Sequence, residues 1–368
     1  MKILFKHFIR SLIDWVFRRR SPALLIMRLG VPCLALAFGA GWALDVSFPF
    51  RNGRIEIGFD SAGGTPVAIV YIAAITGFGL IAVGLAWEII RYRAEQRRVA
   101  RKKVIIIEGR GLRDSSGAPL IDALPPRLEG HREHVLVDLR QRVKDGEIVE
   151  PEAALTDLTS LPADLRRREN GFDRRDLSLV YGGLTPVPFT FLTGVLMDDE
   201  GAVLVLDWDR HAESWRELDG ADDGKRFQIS DVGSVVPDGT KEVAMAVSVS
   251  YGVIADDVHA RVGDIPVVEL KLDGGSPDCH WSEDKQRALG QQFLDTAIDL
   301  SNCGIKRIHL FLAAQNSVAF RLGRLYDKRN LPEIVVYQYR RGATPPYPWG
   351  ILMPVGGIER PKVIAKES

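Results

Sequence analysis

Hydrophobic and polar positions divide the chain into two regimes. Residues 24–44 are apolar apart from Arg28, and residues 66–90 are apolar apart from Glu88. Each run matches the roughly 20 residues that cross a bilayer core, so the pattern predicts two transmembrane helices, 24–44 and 66–90. Ahead of them, over 2–18, Leu4, Phe8, Leu12 and Val16 fall on one stripe and Lys2, Lys6 and Arg10 on another. That spacing predicts an amphipathic helix in the headgroup region. A signal peptide is the alternative, against which stand Arg18, Arg19, Arg20 and the second span.

From residue 104 onward short apolar runs alternate with helix-period segments, the mark of a mostly parallel α/β sheet. Strands are expected at 104–108, 135–139, 177–182 and 202–207, with helices at 151–169 and 187–197. The same order returns with strands at 243–250, 266–272, 307–313 and 333–339 and helices at 283–303 and 317–328, an offset of roughly 130 residues. The best-matched pieces are LSLVYGGLTPVPFTFLTGVL (177–196) and IHLFLAAQNSVAFRLGRLYD (308–327). We read two Rossmann-like halves, 104–242 and 243–368, related by a pseudo-two-fold axis.

Ligands of such sheets sit beyond the carboxyl ends of the strands. Those ends read EGRGL (108–112), YGGLTP (181–186) and DWDR (207–210) in one half, and SVSYG (248–252), AAQNS (313–317) and YQYRR (337–341) in the other. They offer small residues for close backbone approach, hydroxyls and amides for hydrogen bonds, and Trp208, Tyr251 and Tyr339 for stacking. Asn316 and Ser317 are also ordinary helix N-caps. A free helix N-terminus equally attracts phosphate.

Charge adds a topology. The formal net charge of zero conceals a basic first part: residues 1–103 hold 16 Lys+Arg and 6 Asp+Glu, leaving 32 and 42 for the rest. The strip after the second span (91–103, RYRAEQRRVARKK) has seven basic residues and one acid, whereas the loop between the spans has only Arg51 and Arg54. Both termini are therefore expected on the cytoplasmic side. The acidic remainder argues against a surface for polymeric nucleic acid. Cys33, Cys279 and Cys303 form no CxxC pair, so no disulfide framework is expected. In the spans, Ala35 and Gly39, Ala37 and Gly41, and Ala73 and Gly77 are four apart; they suit contacts between protomers or between helices of one chain.

Catalytic signals are sparse. HREH (131–134) lacks a recognisable third metal ligand, and Asp207, Asp209, Asp198, Asp199 and Glu200 are expected to be surface acids rather than carboxylate pairs. Cys279-His280 is an isolated pair, EGRGL lacks the spacing of a dinucleotide fingerprint, and GxxxxGK[ST] and GxSxG do not occur. Neither an enzyme nor a resident cofactor is expected.

GIKRIHLFLAAQNSVAFRLGRLYD, LPEIVVYQYRR and YPWGI resemble the SAVED domain, the sensor module attached to assorted effectors in bacterial CBASS anti-phage systems. DLSLVYGGLTPVPFTFLTGVL and LDWDRHAESW are similar to the first half of that domain in its two-transmembrane form. The resemblance covers about 104–368. It implies two fused CARF/Rossmann-like halves that bind a cyclic oligonucleotide, typically a cyclic trinucleotide, made by a CD-NTase-type nucleotidyltransferase. It further implies ligand-driven homo-oligomerisation, disruption of the bacterial inner membrane and abortive infection. Carried onto this chain, the pocket comprises Gly182, Gly183, Thr185 and Pro186, then Ser248, Ser250 and Tyr251, and Ala314, Gln315, Asn316 and Ser317. Gln315 replaces the proline usual at its place. Arg110, Arg210 and Arg321 are candidate phosphate partners. Two other readings stay open: hydrolysis of the cyclic ligand, and a passive membrane-bound nucleotide receptor.

Overall fold

The computed structural model describes residues 22–39, 46–50, 53–57, 67–112, 117–144, 147–354 and 360–365. The expected amphipathic helix 2–18 lies outside them. The chain divides into two compact units, Met1–Ala100 and Arg101–Ser368.

The first unit contains helix α1 (Pro22–Gly39), an antiparallel hairpin of β1 (Val46–Phe50) and β2 (Gly53–Ile57), and helix α2 (Val67–Arg101). Sequence pattern predicts two spans; among the described residues one helix, Ile69–Arg101, is long and apolar enough to cross a membrane. The apolar part of α1 is shorter, Pro22–Phe38. Its end falls at the first glycine of the GAG stretch 39–41, where each glycine costs about 1 kcal/mol relative to alanine in a helix. Residues 40–44 of the expected first span lie outside the described residues.

A Cβ on Gly77 would lie 2.8 Å from Leu34 Cγ and 3.0 Å from the Gly30 carbonyl oxygen. Gly77 thus serves close approach of α2 to α1 within the chain, one of the two roles that its spacing from Ala73 allows. Ile72, Ile75 and Ile90 of α2 are exposed, a pattern suited to hydrocarbon surroundings.

The second unit begins with β3 (Lys103–Arg110) and β4 (His131–Asp138), followed by a small hairpin of β5 (Val143–Lys144) and β6 (Glu147–Ile148). Helices α3 (Pro151–Thr159) and α4 (Leu161–Glu169) occupy the stretch where the periodicity predicts one helix. Pro162 explains the break, because it has no N–H to continue the ladder and suits the first turn of a new helix. Then come β7 (Leu177–Leu184), α5 (Val187–Leu196), β8 (Val203–Asp209) and β9 (Ser214–Glu217).

The chain continues with β10 (Phe227–Ile229), α6 (Val232–Val235), β11 (Glu242–Ser248), α7 (Ala255–Val262), β12 (Val267–Leu272) and α8 (Glu283–Asn302). It ends with β13 (Arg307–Ala313), α9 (Asn316–Leu325), β14 (Glu333–Gln338), β15 (Trp349–Leu352) and β16 (Lys362–Ala365).

The repeat seen in sequence is a repeat of topology. One sheet runs β4-β3-β7-β8-β9 and the other β10-β12-β11-β13-β14-β15-β16. Each contains four parallel strands, β4-β3-β7-β8 in one and β12-β11-β13-β14 in the other, ordered in chain sequence as second, first, third, fourth, and an antiparallel strand, β9 or β15, follows the fourth; β10 adds an antiparallel edge to the second sheet. β3 is buried along its whole length and β13 nearly so, as expected of parallel strands covered on both faces.

Equivalent helices α5 and α9, each following the third strand of its half, meet at glycines. A Cβ on Gly194 would collide with the Phe320 carbonyl oxygen, and one on Gly323 with the Phe191 carbonyl oxygen. That reciprocal contact is what a pseudo-two-fold axis between the halves requires. Around it Tyr181 stacks on Phe320, with ring centroids 3.7 Å apart. Thr190 of α5 reaches Asn316 Oδ1 at the start of α9 (2.9 Å).

Candidate functional site

The crossing of α5 and α9 brings their N-terminal turns, and so the carboxyl ends of both sheets, to one place. A cleft of about 260 Å³ opens there, lined from the first half by Leu112, Leu184, Thr185, Val187, Asp207, Trp208 and Arg210. The second half supplies Ala314, Gln315 and Asn316 after β13, and Pro277, Asp278 and His280 from the crossover ahead of α8.

Its floor is a hydrogen-bonded junction between the halves. Asp207, at the end of β8, is only 4% exposed, and its carboxylate accepts the Trp208 amide (2.8 Å) and the Ser317 amide of α9 (3.0 Å). Thr190 Oγ1 lies 2.7 Å from Thr185 Oγ1, 3.0 Å from the Thr185 carbonyl and 2.9 Å from Asn316 Oδ1. Trp208 packs edge-on against Trp215, centroids 5.3 Å apart.

One wall is the 276–280 segment, held in place at several points. Gln315 Nε2 donates to the Ser276 and Pro277 carbonyls (2.9 and 2.8 Å), Cys279 Sγ contacts the Val249 carbonyl (3.5 Å), and Gln286 Nε2 donates to the His280 carbonyl (2.7 Å). His280 is 4% exposed, packs at a tilt against Trp281 with centroids 4.3 Å apart, and places Nε2 3.4 Å from Asp207 Oδ2. Burial pushes its imidazole below the ordinary histidine range, and the carboxylates of Asp207 and Asp278 counter this only in part.

Of the residues singled out in sequence, Thr185, Trp208, Arg210, Ala314, Gln315 and Asn316 line this cleft. The others lie elsewhere. Gly182 is buried where a Cβ would meet the Trp215 ring at 2.9 Å, and Gly183 sits against the Tyr181 side chain, so both serve packing. Pro186 precedes α5 and is buried. Ser317 is 1% exposed, and its hydroxyl accepts Gln286 Nε2 (2.8 Å).

Ser248 Oγ accepts the Val253 amide (3.0 Å), fixing the turn after β11, while the Ser250 amide donates to the Ala313 carbonyl (3.0 Å). Exposed Tyr251 continues that turn, and exposed Tyr339 packs edge-on against Tyr347. None of these four lines the cleft.

Two of the three arginines are engaged away from it. Arg110 Nε donates to Glu108 Oε1 at 2.6 Å, beneath the surface. Burial pushes the Glu108 carboxyl up, but hydrogen bonds from His134, Arg110 and the Leu120 amide outweigh it and hold the group at about 2. Arg321 contacts Gln286 Oε1 (3.4 Å) and Glu283 (3.5 Å). Asp278 carries no sequence signal except its position in a βαβ crossover, and His280 only that position and its isolated pairing with Cys279.

Comparisons agree with this architecture. Residues 2–155 match the family described as SAVED-fused 2TM effector domain. Residues 161–353, more than half of the 368-residue chain, match SAVED, the SMODS-associated and fused to various effectors sensor domain. Among curated proteins nothing matches.

Similar solved structures include the Cap4 SAVED/CARF-domain containing receptor of Acinetobacter baumannii with the cyclic trinucleotide 2'3'3'-cAAA (12% identity, TM-score 0.46, 78% of this chain and 59% of that one). The same receptor with 3'3'3'-cAAA gives 13% identity and TM-score 0.46 over 78% and 59%. The Moraxella osloensis Cap4 SAVED/CARF-domain containing receptor gives 12% identity and TM-score 0.45 over 78% and 57%. The match therefore spans less than two thirds of each receptor chain. With the paired sheets and both family matches in hand, the chain belongs to the SAVED family, in its form fused to a two-transmembrane effector domain.

Proposed function

We propose that this protein is a cyclic-oligonucleotide-gated membrane effector of anti-phage defence. The cleft of the SAVED unit takes a cyclic oligonucleotide, a cyclic trinucleotide by preference, supplied by a CD-NTase-type nucleotidyltransferase. Occupancy favours an assembly of several protomers, since a ligand that binds the assembled form stabilises it by mass action. Assembly gathers the membrane segments and their basic strip 91–103 at one patch of the bacterial inner membrane and disrupts it, ending the infection with the cell. Both spans are crossed with N- and C-termini cytoplasmic, and no catalytic step or resident cofactor is involved.

The observation that carries this reading is the placement of the cleft. It stands at the carboxyl ends of both sheets, with Arg210 at its rim and Thr185 and Asn316 within it, in a chain whose other matched domain is a two-transmembrane effector.

The test is sedimentation of the full-length chain in detergent with a panel of cyclic di-, tri- and tetranucleotides, paired with dye release from vesicles bearing the protein. We expect one ligand class to shift the protein to larger species and to open the vesicles, with both effects weakened in Arg210→Glu. Sedimentation unchanged by every ligand would sink the proposal. Assembly without dye release would support a passive receptor, and loss of the ligand to linear products would support a hydrolase.

A further inference from the structure

Within the first unit, α1 turns its small residues towards α2. Ala23, Gly30 and Ala37, seven apart, are its buried positions. A Cβ on Gly30 would lie 2.8 Å from the Gly77 carbonyl oxygen and 2.9 Å from Ile81 Cγ1, and one on Gly84 would lie 2.9 Å from the Ala23 carbonyl oxygen. Seven residues are close to two turns, so these positions form one stripe, and α2 fills it.

Arg28 stands on the opposite side of α1. Two residues from Gly30, it lies about 160° round the helix at about 100° per residue. It is exposed, and among the described residues it makes no hydrogen bond or ion pair. A Cβ on Gly84 would meet Met27 Cγ at 2.5 Å, so Arg28 is nearly level with a residue six before Ile90, where the apolar stretch of α2 ends. At ~1.5 Å per residue that is ~9 Å inside the apolar stretch.

A second polar group belongs to the same place. Pro32 is inside α1 and exposed, and it has no N–H to offer the Arg28 carbonyl four residues earlier. Exposed Ala35 continues the stripe, with Leu25, Leu29 and Leu36 along one border and Val31 and Phe38 along the other. A backbone carbonyl freed by proline needs a donor from a neighbouring helix or from water, and an ionisable side chain within a span faces a bundle interior or a water-filled path. Here α2 lies on the far side of the helix and supplies neither.

Resting on the membrane-effector reading above, we propose that the Arg28–Pro32–Ala35 face of α1 lines a water-filled path formed between protomers of the assembly, and that Arg28 makes this path selective for small anions such as chloride. In a lone protomer the long side chain can snorkel to the headgroups. In the assembly each copy contributes one guanidinium at the same depth, and such a ring between low-dielectric walls attracts anions and repels cations. Water in the path also hydrates the Arg28 carbonyl.

The experiment is electrical recording from the full-length protein in planar bilayers under a tenfold potassium chloride gradient, with the same panel of cyclic di-, tri- and tetranucleotides as activators. We expect the reversal potential to report chloride at least about fivefold more permeant than potassium. Arg28→Gln should bring that ratio close to one, Arg28→Glu should invert it, and Arg28→Lys should preserve it. If Arg28→Glu fails to insert, the glutamine and lysine variants still decide. Chloride selectivity that persists in Arg28→Gln, as the basic strip 91–103 could produce, overturns the assignment. Unselective leakage through the wild type indicates general rupture and overturns it too, while leaving the effector reading intact. Absence of current with every nucleotide overturns both.

Discussion

The contact between Gly323 and Phe191 allows a worked test of how the two halves are joined. A Cβ at Gly323 would lie 2.9 Å from the Phe191 carbonyl carbon and 3.1 Å from its Cα, with the carbonyl oxygen closer still. Ordinary carbon contacts are about 3.5–4.0 Å, so Gly323→Ala must drive α5 and α9 apart by something near 1 Å. Overpacking costs about 1–3 kcal/mol, and the upper end applies where the opposing atoms are main chain and cannot change rotamer. Alanine returns about 1 kcal/mol through its better helix propensity. The net loss is about 2 kcal/mol, or a Tm lower by roughly 4 °C for a domain of this size. Gly194→Ala should behave alike, and the double variant should cost about 1 kcal/mol less than the two singles added, because one separation accommodates both methyl groups. Gly201→Ala is the control, since a Cβ there meets nothing within 4 Å. Thermal unfolding of the full chain in detergent reads all four variants; an unchanged Tm for Gly323→Ala, or strict additivity in the double, would refute the shared crossing.

Glu108 gives a pH prediction. Its folded value of about 2 lies below the ordinary 4.5, so its stabilisation is present above pH about 4.5 and is lost as pH falls through about 2. At about 1.4 kcal/mol per unit this is about 3 kcal/mol, and Glu108→Gln should lower stability at pH 7 while flattening its fall towards acid, measured by urea unfolding. Arg210→Ala should weaken cyclic-oligonucleotide binding about five- to tenfold at low salt and less at high salt, irrespective of base, in titrations at two ionic strengths. For topology, a membrane-impermeant maleimide should label exposed Cys303 only after spheroplasts are lysed, whereas Glu56→Cys should be labelled in intact ones.

Sequence pattern carried the α/β repeat well because burial on both faces of β3 and β13 leaves continuous apolar runs, and the helices between them keep their own period. It missed the division of α3 from α4, where apolar periodicity continues through a proline that local backbone chemistry cannot accommodate mid-helix. Residues that line the cleft were legible where a turn faces it, as at Thr185 and Asn316. They were illegible where a distant partner decides: Asp207 meets the Ser317 amide from another strand, and Gln286 takes up the Ser317 hydroxyl. Arg110 is different, since Glu108 two residues earlier on the same face of β3 already offered a local partner. Asp278 and His280 depend on a crossover segment whose position only the fold sets.

Helix α2 has a mechanical consequence that its composition does not suggest. Its 35 residues form one unbroken helix from the apolar stretch into the basic strip. At ~1.5 Å per residue this is a rod of ~52 Å; crossing a ~30 Å hydrocarbon core, as the proposed function has it do, leaves roughly 20 Å of it clear of the oily layer. A rod of that length is a lever: a tilt of about 10° carries its far end sideways by about 9 Å. Torque applied to the basic end reaches the opposite leaflet without a flexible joint to dissipate it.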